Sequence, residues 1–271
     1  MTKDLGAALY VIPDGFHVRL KGDIMGKITL CEDRLIFERR DELTVIEPYG
    51  PDCLRVRSTR NNKILDEDWT LLPPKDGAEC VITGDEKEAV IKNGMMSARI
   101  EAGFPWYGGI ISYYRKDKMI LHTKFEGDYT ARNVHTEGDH YQVKMIFDAN
   151  KGEHIYGLGQ EQEDQFDRKG STVNLQHYNT KSAVPVIYSS LGYGFFWNNP
   201  APGRCETTNN HTMWVADSAY QADFLVYAGE TPADVMKIYC GLTGYAPKFP
   251  EWAAGFWQSK LRYESQDDLL E

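Results

Sequence analysis

The chain is 271 residues long, 42% apolar and 12% aromatic, which is enough to fill the core of one large all-β domain or two ordinary ones. Its formal charge of −10, with no dense Lys/Arg block, argues against nucleic acid and anionic lipid as partners and leaves a neutral ligand as the expectation. No apolar run approaches the roughly 18 to 20 residues of a membrane span, and MTKDLGAALY lacks the basic n-region of a signal peptide, so a cytoplasmic location without membrane contact is expected.

Up to about residue 230 the chain reads as short runs of β-branched and aromatic residues separated by turn chemistry: KITL, DRLIFER, LTVIEP, CLRVRS, WTLL, AECVITG, EAVIKNG, MSARIE, GIISYY and YQVKMIFD. Their spacing of roughly 8 to 12 residues and the Lys92-Asn93-Gly94 turn predict an antiparallel β-sandwich rather than alternating strands and helices. Segment 124–140 is polar and aperiodic, as expected of an exposed or mobile loop. From Glu153 the texture changes to glycines and Asn/Pro turns between apolar strands, which predicts tight corners in a second half of the sandwich.

Five cysteines, Cys31, Cys53, Cys80, Cys205 and Cys240, are scattered without a C-x-x-C, so they read as free thiols rather than a disulfide framework or a zinc site. The acids of DQFDR fit no EF-hand spacing and read as a polar loop, so no metal is expected. A helix is predicted from Thr231, which can cap, through Pro232 at the first position and Asp234 closing a capping box. Val235, Ile238, Tyr239 and Leu242 form its apolar stripe, and Gly244 ends it. Beyond Pro247 and Pro250, EWAAGFWQS reads as a buried strand, and Ser265 with Asp268 as the start of a helix.

Five stretches taken together carry a resemblance. They are Tyr156-Gly157-Leu158-Gly159-Gln160, the run GYGFFWNNP from Gly192 to Pro200, Gly229-Glu230-Thr231-Pro232, Leu242-Thr243-Gly244 with Pro247, and PEWAAGFWQSK from Pro250 to Lys260. In this order and at these separations they resemble family 31 of the glycoside hydrolases, the retaining α-glucosidases and α-xylosidases. The likeness covers residues 150–271, and the first 150 match in strand pattern more than in motif.

The resemblance implies a mainly β fold: a galactose-mutarotase-like antiparallel sandwich over residues 1–230, a connecting helix and linker over 231–249, and the start of a truncated (β/α)8 barrel over 250–271. GFWQS would be the first barrel strand and SQDDLLE the opening of the first barrel helix. A retaining glycosidase needs two carboxyl groups about 5 to 5.5 Å apart. In the family both are aspartates on later barrel strands, so the resemblance assigns no catalytic residue and no cofactor to this chain, which is expected to be inactive by itself. The implied partner is a carbohydrate, an α-linked xyloside or glucoside.

The resemblance places a sugar-contacting loop of the sandwich at His177, Asn179 and Thr180, just before AVPVIYSS. Relatives often carry an aspartate there, and Asn179 is the nearest match. An amide both donates and accepts, which suits hydroxyls, and the alternative is that Asn179 caps a turn. Lys260, Arg262 and Tyr263 would face the barrel mouth, with Tyr263 or Trp257 available to stack on a sugar, although Trp257 fits barrel packing and the two cations fit solvated charges equally well. Two other functions remain in view. A carbohydrate-binding module without catalysis would need a self-contained C-terminus, and a His177/Glu161 pair could in principle open a sugar ring as an aldose epimerase does. Residues from about 250 onward are expected to be disordered or packed on another copy, so a homo-oligomer stays open.

Overall fold

The computed structural model describes residues 26–39, 42–61, 63–68, 70–74, 77, 79–103, 109–124, 133–257 and 259–270. The first strands are β1 (Lys27–Leu30), β2 (Leu35–Arg39), β3 (Glu42–Pro48), β4 (Cys53–Thr59), β5 (Cys80–Gly84) and β6 (Glu88–Asn93). Next come β7 (Met96–Glu101), β8 (Ile110–Arg115), β9 (Lys118–His122), β10 (Asn133–His135), β11 (Tyr141–Asp148) and β12 (Ile155–Gln160). The last are β13 (Thr172–Leu175), β14 (Ser182–Ser189), β15 (Tyr193–Trp197), β16 (Gly203–Thr207), β17 (His211–Ala219) and β18 (Ala222–Ala228). They build an eight-stranded sheet, β1-β2-β3-β4-β18-β15-β14-β12, and two five-stranded sheets, β10-β11-β17-β16-β13 and β5-β6-β7-β8-β9. All the registered strand pairs are antiparallel, for instance Asn93 opposite Met96 across the turn at Gly94.

Both five-stranded sheets cover the same face of the large one. Tyr113 of β8, Phe147 of β11 and Phe224 of β18 meet edge to face at centroid distances of 5.9 to 6.2 Å, so a ring from each sheet shares one core. Phe195 lies flat on Phe224 at 5.0 Å and on Trp214 at 4.8 Å, and each of these rings is buried. The small sheets are stitched together by the Thr123–Phe147 bridge and by the Lys124 amide, which donates to the Ile146 carbonyl at 2.9 Å. Alternation explains β6 and β7, where Ala89, Ile91, Ala98 and Ile100 turn inward and their neighbours stay wetter.

Strands β4 and β18 depart from that alternation, because every residue in both is buried. Their outward faces carry Arg55 and Arg57 on β4 and Asp223 on β18. Arg55 grips Asp223 with two bonds, 3.0 Å from Nε and 2.6 Å from Nη2, and reaches Asp68 with Nη1 at 2.9 Å. Arg57 pairs with Glu47 and Asp66 at 2.5 Å each. Burial pushes the Asp223 carboxyl above its ordinary range, against the pull of Arg55 and Asn198.

The helix α1 (Pro232–Thr243) covers the rest of this outer face, setting Val235 and Leu242 against Phe196, Leu225 and Tyr227. It begins as its sequence requires, with Thr231 accepting from the Asp234 amide and Asp234 returning the bond to the Thr231 amide at 3.0 Å. It ends at Gly244, whose φ of 100° is open to glycine and whose N–H donates to the Cys240 carbonyl.

Three readings of the sequence are corrected. WTLL is no strand over Thr70–Leu72 (Trp69 lies outside the described residues), because Pro73 and Pro74 end any ladder. Leu72 instead donates to the Leu242 carbonyl at the end of α1 and accepts from the Tyr49 hydroxyl. Second, the polar stretch 124–140 contains β10, paired with β11, although residues 125–132 lie outside the described residues. Third, EWAAGFWQS is not a buried strand. Glu251–Ala254 form a 3-10 turn, and Phe256 is 90% exposed; no described strand pairs with the run, and an unpaired extended segment leaves its backbone bonds unmade. The helix that Ser265 was expected to open does form, as α2 (Gln266–Leu270), with the Asp268 amide donating to the Ser265 hydroxyl.

Asn93 shows how tightly the sheets are joined. It is fully buried, donates to the Gly50 and Cys53 carbonyls at 2.7 Å each, and accepts from the Glu79 amide at 3.0 Å. Replacing it with alanine removes all three bonds and leaves the Gly50 carbonyl without its side-chain donor, while the Cys53 carbonyl keeps the Tyr49 amide, so Asn93→Ala is expected to lower the urea unfolding free energy by about 1–3 kcal/mol.

Candidate functional site

One end of the large sheet gathers the candidate loops. Its edge strand, β12, carries the YGLGQ motif as a bulge: the register against β14 slips between Gly157 and Gly159. Gly157, Leu158 and Gly159 all have positive φ, of 117°, 66° and 88°. A Cβ on Gly157 would run into the Val186 carbonyl, and one on Gly159 into the Ser182 carbonyl. Leu158 tolerates its conformation because its side chain is fully buried in the core. The bulge therefore bends the edge strand where the following loop leaves the sheet.

An aromatic platform grows from that edge. Tyr156 stands opposite Tyr188, with rings 6.2 Å apart and 20° from parallel, and Phe166 leans on Tyr156 at 5.0 Å. Phe166 is 83% exposed, an open apolar face of the kind that stacks on sugar C–H surfaces. Reading DQFDR as a polar loop missed this ring. A lone phenylalanine between acids, a few residues past a glycine bulge, was the available signal.

The acids around Phe166 are bound to other groups. Asp167 accepts from His154 Nδ1 at 2.6 Å and from the Ile155 and Lys169 amides at 3.0 Å each, which pins the loop to the start of β12. Burial pushes its carboxyl up, but these bonds outweigh it and hold Asp167 below its ordinary value of 3.8. Beneath it, Glu153 is buried and accepts from the Ser189 and Tyr193 hydroxyls at 2.6 and 2.7 Å.

Residues 176–181 form a tight reverse turn between β13 and β14, closed by the Tyr178–Lys181 bridge. Tyr178 donates to Gln176 Oε1 at 2.7 Å, and the Thr180 hydroxyl donates to the Asn179 carbonyl at 2.5 Å. Thr180 holds a φ of 70°, unusual for a β-branched residue. His177, Asn179 and Thr180 are all exposed on this turn, so the structure brings these three candidates together. Lys181 ties the turn to the edge strand by an ion pair with Glu161, whose side chain is only 4% exposed. Glu161 is thus committed to Lys181, and among the described residues no hydrogen bond joins it to His177, which leaves the epimerase pair without its geometry.

Lys260, Arg262 and Tyr263 sit apart from that turn in their contacts. Lys260 pairs with Asp268 and lies 5.8 Å from the Tyr263 ring centre, and the Glu264 amide donates to Asp268. Among the described residues, no hydrogen bond, ion pair or ring contact links residues 250–270 to residues 176–181. Trp257 donates to the Ala253 carbonyl at 2.9 Å and packs on Trp252, both largely exposed. No group of three or more His, Cys, Asp or Glu among the described residues could hold a metal ion, and no described helix is long and apolar enough to cross a membrane. A cavity of about 450 Å³ lies between α1 and Leu72–Pro74 and is mainly apolar; nothing in the structure shows what covers it.

Layered antiparallel sheets, a glycine-bulged edge strand and an exposed turn beside it define a galactose-mutarotase-like sandwich. The chain belongs to family 31 of the glycoside hydrolases: residues 43–206 match the model of the glycosyl hydrolase 31 N-terminal galactose mutarotase-like domain. It is 30% identical over 256 residues to an uncharacterized family 31 glucosidase of Pseudescherichia vulneris, covering 87% of this chain and 47% of that one. An α-xylosidase of Saccharolobus solfataricus is 37% identical over 138 residues, 48% of this chain and 19% of its own length. Among solved structures, a GH31 α-xylosidase from a soil metagenome, complexed with xylose, superposes with a TM-score of 0.79 at 34% identity, over 90% of this chain and 38% of that one. The chain therefore spans about half or less of the length of these relatives.

Two outcomes follow. A depressed folded-state pKa stabilises above the ordinary carboxylate range and is lost as pH falls, so the Ile155 and Lys169 amide shifts are expected to titrate together with an apparent pKa below 3.8. In limited trypsin digestion, the first cuts are expected after Lys260 or Arg262, both exposed, with the sandwich left intact by mass spectrometry. Protection of these bonds would mean that the tail is packed.

Proposed function

We propose that this chain is the N-terminal sandwich portion of a retaining α-glycosidase acting on terminal non-reducing α-xylosides or α-glucosides, and that it has no hydrolytic activity alone. The observation that carries this is the end of the large sheet, where the bulged edge strand, the Phe166 platform and the 176–181 turn present one exposed, partly aromatic surface. Such a surface contacts a sugar but cannot hydrolyse it. The acids beside it are engaged, Glu161 in an ion pair with Lys181 and Asp167 in hydrogen bonds with His154 and two backbone amides, whereas retaining hydrolysis needs one free nucleophile and one proton donor flanking the same bond.

On this reading residues 1–230 are the sandwich, 231–249 the connector and 250–271 the approach to a catalytic barrel. His177, Asn179 and Thr180 offer hydroxyl partners from the sandwich, and Lys260, Arg262 and Tyr263 would join them from the barrel side. The five cysteines, all free thiols, suit a cytoplasmic setting. The exposed Phe256, Leu261 and Leu270 would be covered by the barrel or by a second copy of the chain.

The chain alone is expected to release no p-nitrophenol from p-nitrophenyl α-xyloside or α-glucoside, and turnover blocked by a family-specific inhibitor would overturn the reading. In an intact enzyme carrying this segment, Asn179→Ala is expected to lower kcat/KM about tenfold, the loss of roughly 1.4 kcal/mol of hydrogen bonding to substrate.

A further inference from the structure

We propose that a cavity of about 340 Å³, lined by Trp197, Asn198, Asn199 and Asp223 with His140 and Tyr220, is a binding site for a neutral pyranose, separate from the 176–181 turn. The cavity forms where the loop after β15 meets the turn before β18 and the residues Leu65, Glu67 and Thr70, and its volume lies in the range of small-molecule pockets.

The polar groups of this cavity are set in place by the buried ion pair. Arg55 fixes Asp223, Asp223 accepts from the Asn198 amide at 2.9 Å, and Asn198 Oδ1 accepts from the Thr70 hydroxyl at 2.5 Å. Asn199, with its amide turned to suit its neighbours, donates to the Gln221 carbonyl and accepts from the Asp223 amide, at 3.2 Å each. Trp197 is 1% exposed, and its indole N–H has no hydrogen-bond partner among the described residues. Because that N–H is closed to solvent, Trp197 offers the cavity ring surface, and its indole N–H serves as a reporter on that wall.

Charge and shape select the ligand. Among the described residues, the lining contains Glu67, Asp139 and Asp223 but no lysine or arginine, so phosphates, carboxylates and nucleotides are disfavoured. Asp223 is already neutralised by Arg55, and no group of His, Cys, Asp and Glu among the described residues suits a metal ion. What remains is a set of fixed amides and hydroxyls beside aromatic rings, with Tyr220 and His140 packed edge to face at 6.4 Å. The amide N–H groups and the Thr70 and Tyr220 hydroxyl hydrogens are committed to protein acceptors, so the oxygens of these side chains are left to accept from ligand hydroxyls, while aromatic faces cover C–H surface, as a pyranose requires. Pro185, near the start of β14, also lines the cavity, so it opens at the same end of the sheet as the 176–181 turn while sharing none of that turn's residues.

Only the choice of probe sugars rests on the glycosidase reading. The isotope-labelled chain would be titrated with D-xylose and methyl α-D-glucopyranoside, with gluconate as the anionic control, and followed by NMR. The expected result is a saturable shift of the Trp197 indole N–H and of the Asn198 and Asn199 amides with at least one neutral sugar, and none with gluconate. Asn199→Ala and Trp197→Phe, checked for a native-like spectrum, are each expected to weaken binding about fivefold. No saturable shift, equal binding of gluconate, or unchanged affinity in Asn199→Ala would overturn the proposal. Shifts confined to residues 176–181 would overturn it too, while leaving the glycosidase reading standing; turnover by the chain alone would do the reverse.

Discussion

The structure depends on the pairing of β4 with β18. Ala222 to Tyr227 lie against Ser58 to Cys53, so the two central strands of the large sheet are joined through residues 60–221, which build both small sheets and also supply β12, β14 and β15 of the large one. Closing so long a loop is entropically costly, and two neighbouring strands buried on both faces offset that cost. The outward faces of those strands would ordinarily be wet. Here they carry Arg55, Arg57 and Asp223, and the Arg55 fork on Asp223 makes their burial tolerable. A buried pair of this kind is weak evidence for net stability, but losing one partner typically costs about 3–5 kcal/mol, so it disfavours other ways of closing the sheet.

From that centre outward, each functional feature is a consequence of where strands end. The aromatic rings of β15, β17 and β18 stack on the inner side, which leaves the ends of β12 and β14 to carry loops rather than core. The bulge at Gly157–Gly159 bends the edge strand, Asp167 pins the next loop back to it, and Lys181 pins the reverse turn through Glu161. Loops held this way present Phe166, His177 and Asn179 with little freedom left to lose on binding, which is what a sugar-contacting surface needs.

Much of the fold was legible in the sequence because its strands alternate locally. β6 and β7, their Gly94 turn and the capped helix α1 are decided by neighbouring residues, and they form where the pattern puts them. The failures share one cause. EWAAGFWQS is apolar enough for a strand, but a strand exists only beside another, and none of the described strands pairs with it. WTLL fails because Pro73 and Pro74 and the end of α1 compete for the backbone bonds of Leu72. β10 was missed because its residues carry no alternation and are held by β11. At the candidate site, Asn179, Thr180 and His177 were legible as a loop, whereas Phe166 was hidden among charges because exposure is not a local property of sequence.

The sequence by itself determined the class of architecture, the position and caps of α1, the glycines that bend β12 and, through ordered motifs, the family. These are short-range matters of propensity, capping and backbone freedom. The tertiary structure alone decided that Arg55 and Asp223 meet across 168 residues of chain, that Glu161 belongs to Lys181 rather than His177, and that Trp197, Asn199 and Tyr220 line one cavity. Those pairings depend on which strand ends lie side by side, and that is fixed only when the sheets close over a common core.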